Sequence, residues 1–386
     1  MLTKTKKRAD ENWGIFADLE TSIRSTGFDS TNYINNSVSC QSSGDSVTFT
    51  EVNEIQEKFT PKKVSSKLLA DSYYRLYFAD PHSLYNKKGD RVFSCGSFLE
   101  WAHEVSTFGD INPVGKLIAA NFCKDRLCPM CSWRRTHKIF GQASQIMQVI
   151  QNDYTFLFLT LTVPNVKSHE LNDTISRLMD SWHRFSNAKD IKKIMCGYFR
   201  ALEVTYNKQA DSFHPHFHVV IAAPKNYLKS RDYLSRDQFL AYWRRAYRDE
   251  SITQVDVRVA KSKATKEMEK AQQDLSSIVA EIAKYTVKSS DYLFPEDNRL
   301  TDYLVKCFSE ALHYRRLVHF GGIFKDVFKE LNLDDAESED ADLVNINGSL
   351  DANLAWHIVR YDWGIGSYKF SRTRLEYPEE HSRKRR

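Results

Sequence analysis

Residues 214–220 read HPHFHVV, three histidines alternating along a stretch that ends in two β-branched valines. Successive side chains of a strand point to opposite faces, so His214, His216 and His218 line one side while Pro215, Phe217 and Val219 line the other. Such a row is either a polar face bathed in water or a set of metal ligands, and the neighbouring chain must decide. Glu203, in FRALEVTY, lies on the segment expected to pair with it and so faces the histidines across a hairpin. Two imidazoles and a carboxylate, with His214 as an outlying third ring, form an open set of N and O donors. That set suits Mn²⁺, Mg²⁺ or Zn²⁺ and can polarise a phosphate oxygen.

A nucleophile is available downstream. From Lys263 to Tyr292, Leu275, Ile278, Val279, Ile282 and Ala283 recur at helical spacing. Glu281, Tyr285 and Lys288 stand at i, i+4 and i+7 and share an arc beside that apolar stripe. An acid, a phenol and an amine on one rim are ordinary for a solvated helix flank; beside a metal they become a base, a nucleophile and a cation. A tyrosine that attacks phosphorus forms a phosphotyrosine ester, which keeps the bond energy needed to rejoin DNA. Tyr292 is the next phenol along.

The segment CKDRLCPMCSWRR places Cys123, Cys128 and Cys131 at x4 and x2 spacing, the knuckle of a structural Zn²⁺ site. A tetrahedral ion needs a fourth ligand. Cys95, followed by a glycine in FSCGSF, is the first choice, with His137 or His103 behind it.

The whole chain sets the frame. Its 386 residues carry 55 Lys and Arg against 50 Asp and Glu, a net charge of +5 too small to identify a nucleic-acid partner alone. Seven cysteines with no apolar export signal argue against a disulfide scaffold. The longest apolar run, Phe156 to Val163, is too short to span a bilayer. A cytoplasmic protein without membrane contact is expected.

Residues 156–163 are expected to form a buried strand and Leu171–Phe185 an amphipathic helix. Tyr198–Tyr206 and His214–Ala222 should pair as a hairpin through NKQADS. The order strand, helix, strand, strand, helix predicts an α+β fold: an antiparallel sheet with flanking helices, preceded by a zinc-binding subdomain. The expected divisions are a flexible arm at 1–60, the zinc-binding subdomain at 61–150, a domain carrying the histidines and the tyrosine at 151–333, and an acidic linker with a C-terminal extension and basic tail at 334–386. Within that third division, a basic and aromatic insertion at about 225–266 is expected to contact nucleic acid. In the linker, six acids crowd the nine positions 334–342 and are expected to stay solvated. Lysines and arginines of SWRRTHK and AYWRRAYRD are expected to meet phosphates.

FLFLTLTVPN, HPHFHVV and EIAKYTVKSSDYL, in that order and after the CxxxxCPxC segment, resemble the rolling-circle replication initiators of small bacterial plasmids, members of the HUH endonuclease superfamily. The resemblance covers roughly residues 90–330. It implies a nuclease that nicks one strand at the plasmid's double-strand origin and remains joined to the 5′ phosphate through a tyrosine. By motif position that tyrosine is Tyr285 and the metal-holding pair is His216 and His218. Some relatives carry two tyrosines on this helix, whereas here Glu281 stands one turn earlier, similar to a single-tyrosine branch that closes the reaction with a carboxylate. The implied cofactors are Mn²⁺ or Mg²⁺ at the nuclease site and Zn²⁺ at the cysteines. The implied partners are origin DNA, as a single strand or extruded hairpin at the nick and as duplex at the binding site, and a host helicase. Competing readings are a mobilisation relaxase or transposase of the same superfamily, a histidine-triad nucleotide hydrolase with His216 as nucleophile, and a non-catalytic zinc-stabilised DNA-binding regulator.

Overall fold

Period-two alternation at 154–162 gives one strand face of Leu157, Leu159 and Leu161 and another of Phe156 and Phe158, all five buried. A strand with two apolar faces needs a layer on each side, and the fold supplies both. A computed structural model describes residues 49–259, 287–346 and 350–378. In it, β3 (Tyr154–Thr162) pairs antiparallel with β5 (Ser212–Pro224), which in turn pairs with β4 (Gly197–Asn207). With β6 (Val255–Val259) and β7 (Val318–Gly322) at the edges, the five-stranded order is β6-β3-β5-β4-β7. The hairpin turn is shaped by Asn207, whose side-chain oxygen accepts from the amides of Gln209 and Ala210, both at 3.0 Å.

On one face, Phe217, Val219 and Ile221 join Leu171, Ile175, Leu178, Trp182 and Phe185 of α4 (Ser168–Ser186) in one core. On the other, Phe156, Phe158, Phe199 and Val220 meet Ile139, Phe140, Ala143 and Ile146 of α3 (Pro129–Ile150). Burying a side chain of this size stabilises by about 1.5–3 kcal/mol, so this three-layer packing holds the histidine strand at the centre of the molecule.

The expected α+β architecture with an antiparallel sheet and flanking helices is present, and a second antiparallel sheet stands beside the first. Its order is β2-β1-β8-β9, with β1 at Phe98–Val105, β2 at Ile111–Ala120, β8 at Ala355–Trp363 and β9 at Tyr368–Glu376. Leu99 pairs with Tyr361 and Trp101 with Val359, so the segment read as a C-terminal extension completes a sheet begun near residue 98.

Three further expectations need correction. The arm assigned to residues 1–60 ends earlier: α1 (Phe49–Ala79) is already helical at Phe49, and Ile55 and Phe59 are 1% exposed. Its apolar face was hidden by the polar residues before it, and Phe59 packs edge-on against Trp101 and Trp133. Positions 1–48 lie outside the described residues. The helix expected over Lys263–Tyr292 lies outside them as far as residue 286, and its described end is no α-helix but a 3₁₀ turn, Ser289–Asp291. The acidic run 334–342 does keep Asp334, Glu339, Asp340 and Asp342 exposed, but it is tied to the body of the fold and is no free linker. Lys138, 5% exposed, ion-pairs with Asp334, and Glu337 accepts from the amides of Leu317 (2.8 Å) and Val318 (3.1 Å).

The same contacts revise the basic segment SWRRTHK. Arg134 donates to the carbonyls of Leu343 and Val344, both at 2.8 Å, and Arg135 to Ala336 and Lys124, both at 3.1 Å. These guanidinium groups hold the backbone within and just after the acidic run, with Arg135 also reaching the cysteine loop, and are already committed. In the 225–266 stretch the aromatics are largely core: Tyr227, Trp243 and Tyr247 are buried, the last two on α6 (Arg236–Tyr247). Among the described residues no helix is long and apolar enough to cross a membrane.

Candidate active site

The hairpin register sets Glu203 directly opposite His216, while His218 is opposite Ala201 on β4 and Thr160 on β3. Period two then puts Glu203, His216 and His218 on one face. One oxygen of Glu203, Oε2, lies 2.9 Å from His218 Nε2 and 3.5 Å from His216 Nε2, and the two Nε2 atoms are 3.2 Å apart. All three residues are buried, and their donor atoms form a group able to hold a metal ion.

The rings are oriented from behind. His216 Nδ1 is 3.0 Å from the carbonyl of His214; a carbonyl only accepts, so Nδ1 carries a proton and Nε2 is the ring atom turned toward Glu203. His218 Nδ1 is 3.3 Å from Thr160 Oγ1, and Phe158 stacks on its ring. Burial works against the Glu203 charge, yet hydrogen bonds from His216 and His218 outweigh it and hold the carboxyl well below the usual carboxylate range. His214 stands aside: it stacks on His216 without joining the converging donors, and burial and the His216 charge lower its pKa to about 4.

Lys288 brings its Nζ to 3.6 Å from Glu203 Oε1. Glu281 and Tyr285, the other two residues of that motif, lie outside the described residues. Beside Lys288 stands Asp291, which the sequence reading passed over. Its Oδ2 is buried without a hydrogen-bond partner, and burial raises its carboxyl to about 6 against the pull of Lys288, with Glu203 adding to the rise. An acid six residues after an acid-x-x-x-Tyr motif was the signal in the sequence that could have found it.

The second group is the four thiols of Cys95, Cys123, Cys128 and Cys131, all buried and unbridged. Cys95 and Cys123 are each followed by a left-handed residue, Gly96 (φ 61) and Lys124 (φ 60), while Pro129 opens α3 and seats Cys131 in its first turn. Sulfur–sulfur distances are 3.5 Å for Cys95–Cys131 and 3.6 Å for both Cys123–Cys131 and Cys95–Cys128. Tetrahedral Zn–S bonds of about 2.3 Å would set sulfurs about 3.8 Å apart, so the spacing fits that ion. The amides of Cys123 and Lys124 point at Cys95 Sγ (3.4 Å) and Cys131 Sγ (3.2 Å). The alternatives His103 and His137 are elsewhere: His103 Nδ1 is bonded to the Asn112 carbonyl, and His137 packs edge-on against Trp133.

Sequence reading missed Lys63. It is 1% exposed, and its ammonium donates to the carbonyls of Phe93 (2.7 Å) and Cys95 (2.6 Å). Burial lowers its pKa while Cys95 and Cys128 pull the other way, so a buried cation faces the thiol group.

Fold and site thus define an α+β chain with, among the described residues, two groups able to hold metal ions, one of thiols and one of two imidazoles with a carboxylate. The replication protein family Rep_1 matches residues 114–369, from inside β2 into β9, and the chain belongs to that family. It is 36% identical over 323 residues to a Protein rep of Bacillus amyloliquefaciens, covering 80% of this chain and 92% of the relative. It is 38% identical over 309 residues to a Protein rep of a Bacillus species, covering 77% and 97%. A Protein rep of Staphylococcus aureus is 36% identical over 247 residues, covering 63% and 98%. No solved structure matches significantly. The expected kinship with plasmid Rep initiators therefore holds.

Proposed function

We propose that this replication protein starts rolling-circle copying of a plasmid by cutting one strand of origin DNA and later rejoining it, through a covalent bond between Tyr285 and the 5′ phosphate. The observation that carries the reading is the convergence of Glu203, His216 and His218 beside Lys288, the described end of the tyrosine motif. A divalent ion such as Mn²⁺ or Mg²⁺ held by those three residues would polarise a phosphate oxygen.

The Tyr285 oxygen attacks phosphorus and gives up its proton, the bond to the 3′ oxygen breaks, and that oxygen takes up a proton to become the primer terminus. One ester is exchanged for another, so no external energy source is required. The Lys288 ammonium supplies positive charge where phosphate oxygens gather. Glu281 acts as general base at the closing step, letting water make the second cut. The four cysteines hold Zn²⁺ for folding, outside the chemistry. Origin DNA enters as a single strand or extruded hairpin at the nick and as duplex at the recognition surface, to which the 225–266 stretch contributes, and a host helicase unwinds ahead.

The test is incubation with labelled oligonucleotides tiling the encoding replicon, with and without Mn²⁺, resolved on a denaturing gel with mass mapping of any adduct. A metal-dependent adduct on Tyr285 is expected. Cleavage without adduct, or an adduct elsewhere, overturns the reading.

A further inference from the structure

The chain that follows the proposed nucleophile reaches one metal-type group and the loop that carries two cysteines of the other within five residues. At one end Lys288 reaches Glu203 (3.6 Å). At the other, Tyr292 is 1% exposed, and its hydroxyl donates to the carbonyl of Leu127 in the loop between Cys123 and Cys128. Between them the 3₁₀ turn leaves little slack, with the Asp291 amide on the Lys288 carbonyl (2.9 Å) and the Leu293 amide on Ser289 (2.8 Å).

The receiving carbonyl is itself fixed. Asp125 Oδ1 accepts from the Leu127 amide at 2.9 Å and from the Tyr73 hydroxyl of α1 at 3.2 Å. A chain of contacts therefore runs from Tyr73 through Asp125 and the Leu127 peptide to Tyr292. The Tyr292 ring also packs edge-on against Phe308 at 6.0 Å, on α7 (Asn298–Ala311). Burying a phenol is tolerable only with such a partner, and ring packing alone would have been met by phenylalanine.

We propose that Tyr292 is a positioning residue: by hanging the segment after the nucleophile on the cysteine loop, it makes the thiol group set the geometry of strand cutting. The inference rests on the reading of Tyr285 as nucleophile. Three residues of chain span at most about 11 Å, so whatever fixes Lys288 bears directly on the residue three positions before it. A reacting atom displaced by an ångström can lose as much as a hundredfold in rate.

Tyr292→Phe keeps the ring and removes only the hydroxyl. The measurement is the single-turnover rate of covalent attachment, at saturating DNA, to whichever tiling oligonucleotide the parent joins. DNA affinity, zinc content and melting are followed in parallel. A fall of roughly tenfold or more is expected, with DNA affinity and zinc content unchanged. Asp125→Asn should slow attachment similarly from the loop side, and the double variant should be no slower than the worse single one, because both act through one peptide. A part in folding alone would lower melting and leave the rate of the folded protein intact. Attachment at the parental rate by Tyr292→Phe overturns the proposal, as do independent, multiplying effects in the double variant. If Tyr292→Phe does not fold, a fully active Asp125→Asn overturns it. A Tyr285→Phe protein that still forms the adduct instead removes the nucleophile assignment, a separate result.

Discussion

Glu203 faces His216 across the β4–β5 hairpin, yet its shorter contact, 2.9 Å against 3.5 Å, is the diagonal one to His218. The carboxylate thus leans between two imidazoles and closes neither off. Replacing either histidine by alanine should abolish metal-dependent nicking, since two imidazoles cannot spare one. Glu203→Ala should weaken it less, as water can replace a carboxylate. Calorimetric titration with Mn²⁺ checks this; unchanged affinity in both histidine variants would place the metal elsewhere.

The nucleophile and its neighbouring acid should separate starting from stopping. Tyr285→Phe is expected to abolish covalent attachment and leave DNA binding within a few fold, because it removes one oxygen and little volume. Glu281→Ala should attach normally but fail to terminate, so plasmid multimers or over-long single strands accumulate. Release of monomer circles at the parental yield would return Glu281 to a solvated helix flank.

Lys63→Met preserves length while removing the cation that serves two carbonyls beside the thiols. Leaving buried acceptors unmet costs about 1–3 kcal/mol. Urea unfolding should show that loss together with faster zinc release to a chelator; an unmoved midpoint would contradict it.

Acid should destabilise the fold partly through His137. Burial, then the charges of Arg134, Lys58 and Lys62, draw its pKa from 6.5 to about 4. The unfolded chain therefore binds this proton more readily than the folded one, and stability present above pH 6.5 is lost as pH falls toward 4. The bound is about 3 kcal/mol, reduced by the ring's partial exposure. His137→Gln should narrow the gap between urea midpoints at pH 7 and pH 4.5; an unchanged gap would clear His137 of the effect.

What could be read from the chain was whatever a local period encodes. Period two fixed β3, β4 and β5, and with them the shared face of Glu203, His216 and His218. The knuckle spacing brought three cysteines forward and left the fourth to a choice that includes Cys95. Long-range closure has no such local mark: nothing near Trp101 announces Val359. The acidic run misled for a related reason. Six carboxylates read as a solvated linker, and four are exposed, but the backbone carbonyls of Asp334, Ala336 and Asp342, taken up by Gln142, Arg135 and Lys138, decide where the segment lies. Tyr292 looked like a spare nucleophile until its hydroxyl was found donating to Leu127.

The pairing of β1 with β8 also orders events on the ribosome. Glu100 and Arg360, joined across those strands, are 260 residues apart, so β1 leaves the exit tunnel long before its neighbour is made. Through that interval its second edge is open and the sheet around the thiol group is incomplete. A nascent chain that already carries every proposed catalytic side chain still lacks the strands that finish this platform. The sheet beside the cysteines is thus complete only once translation has passed β9, and prematurely ended copies lack the strands that close it.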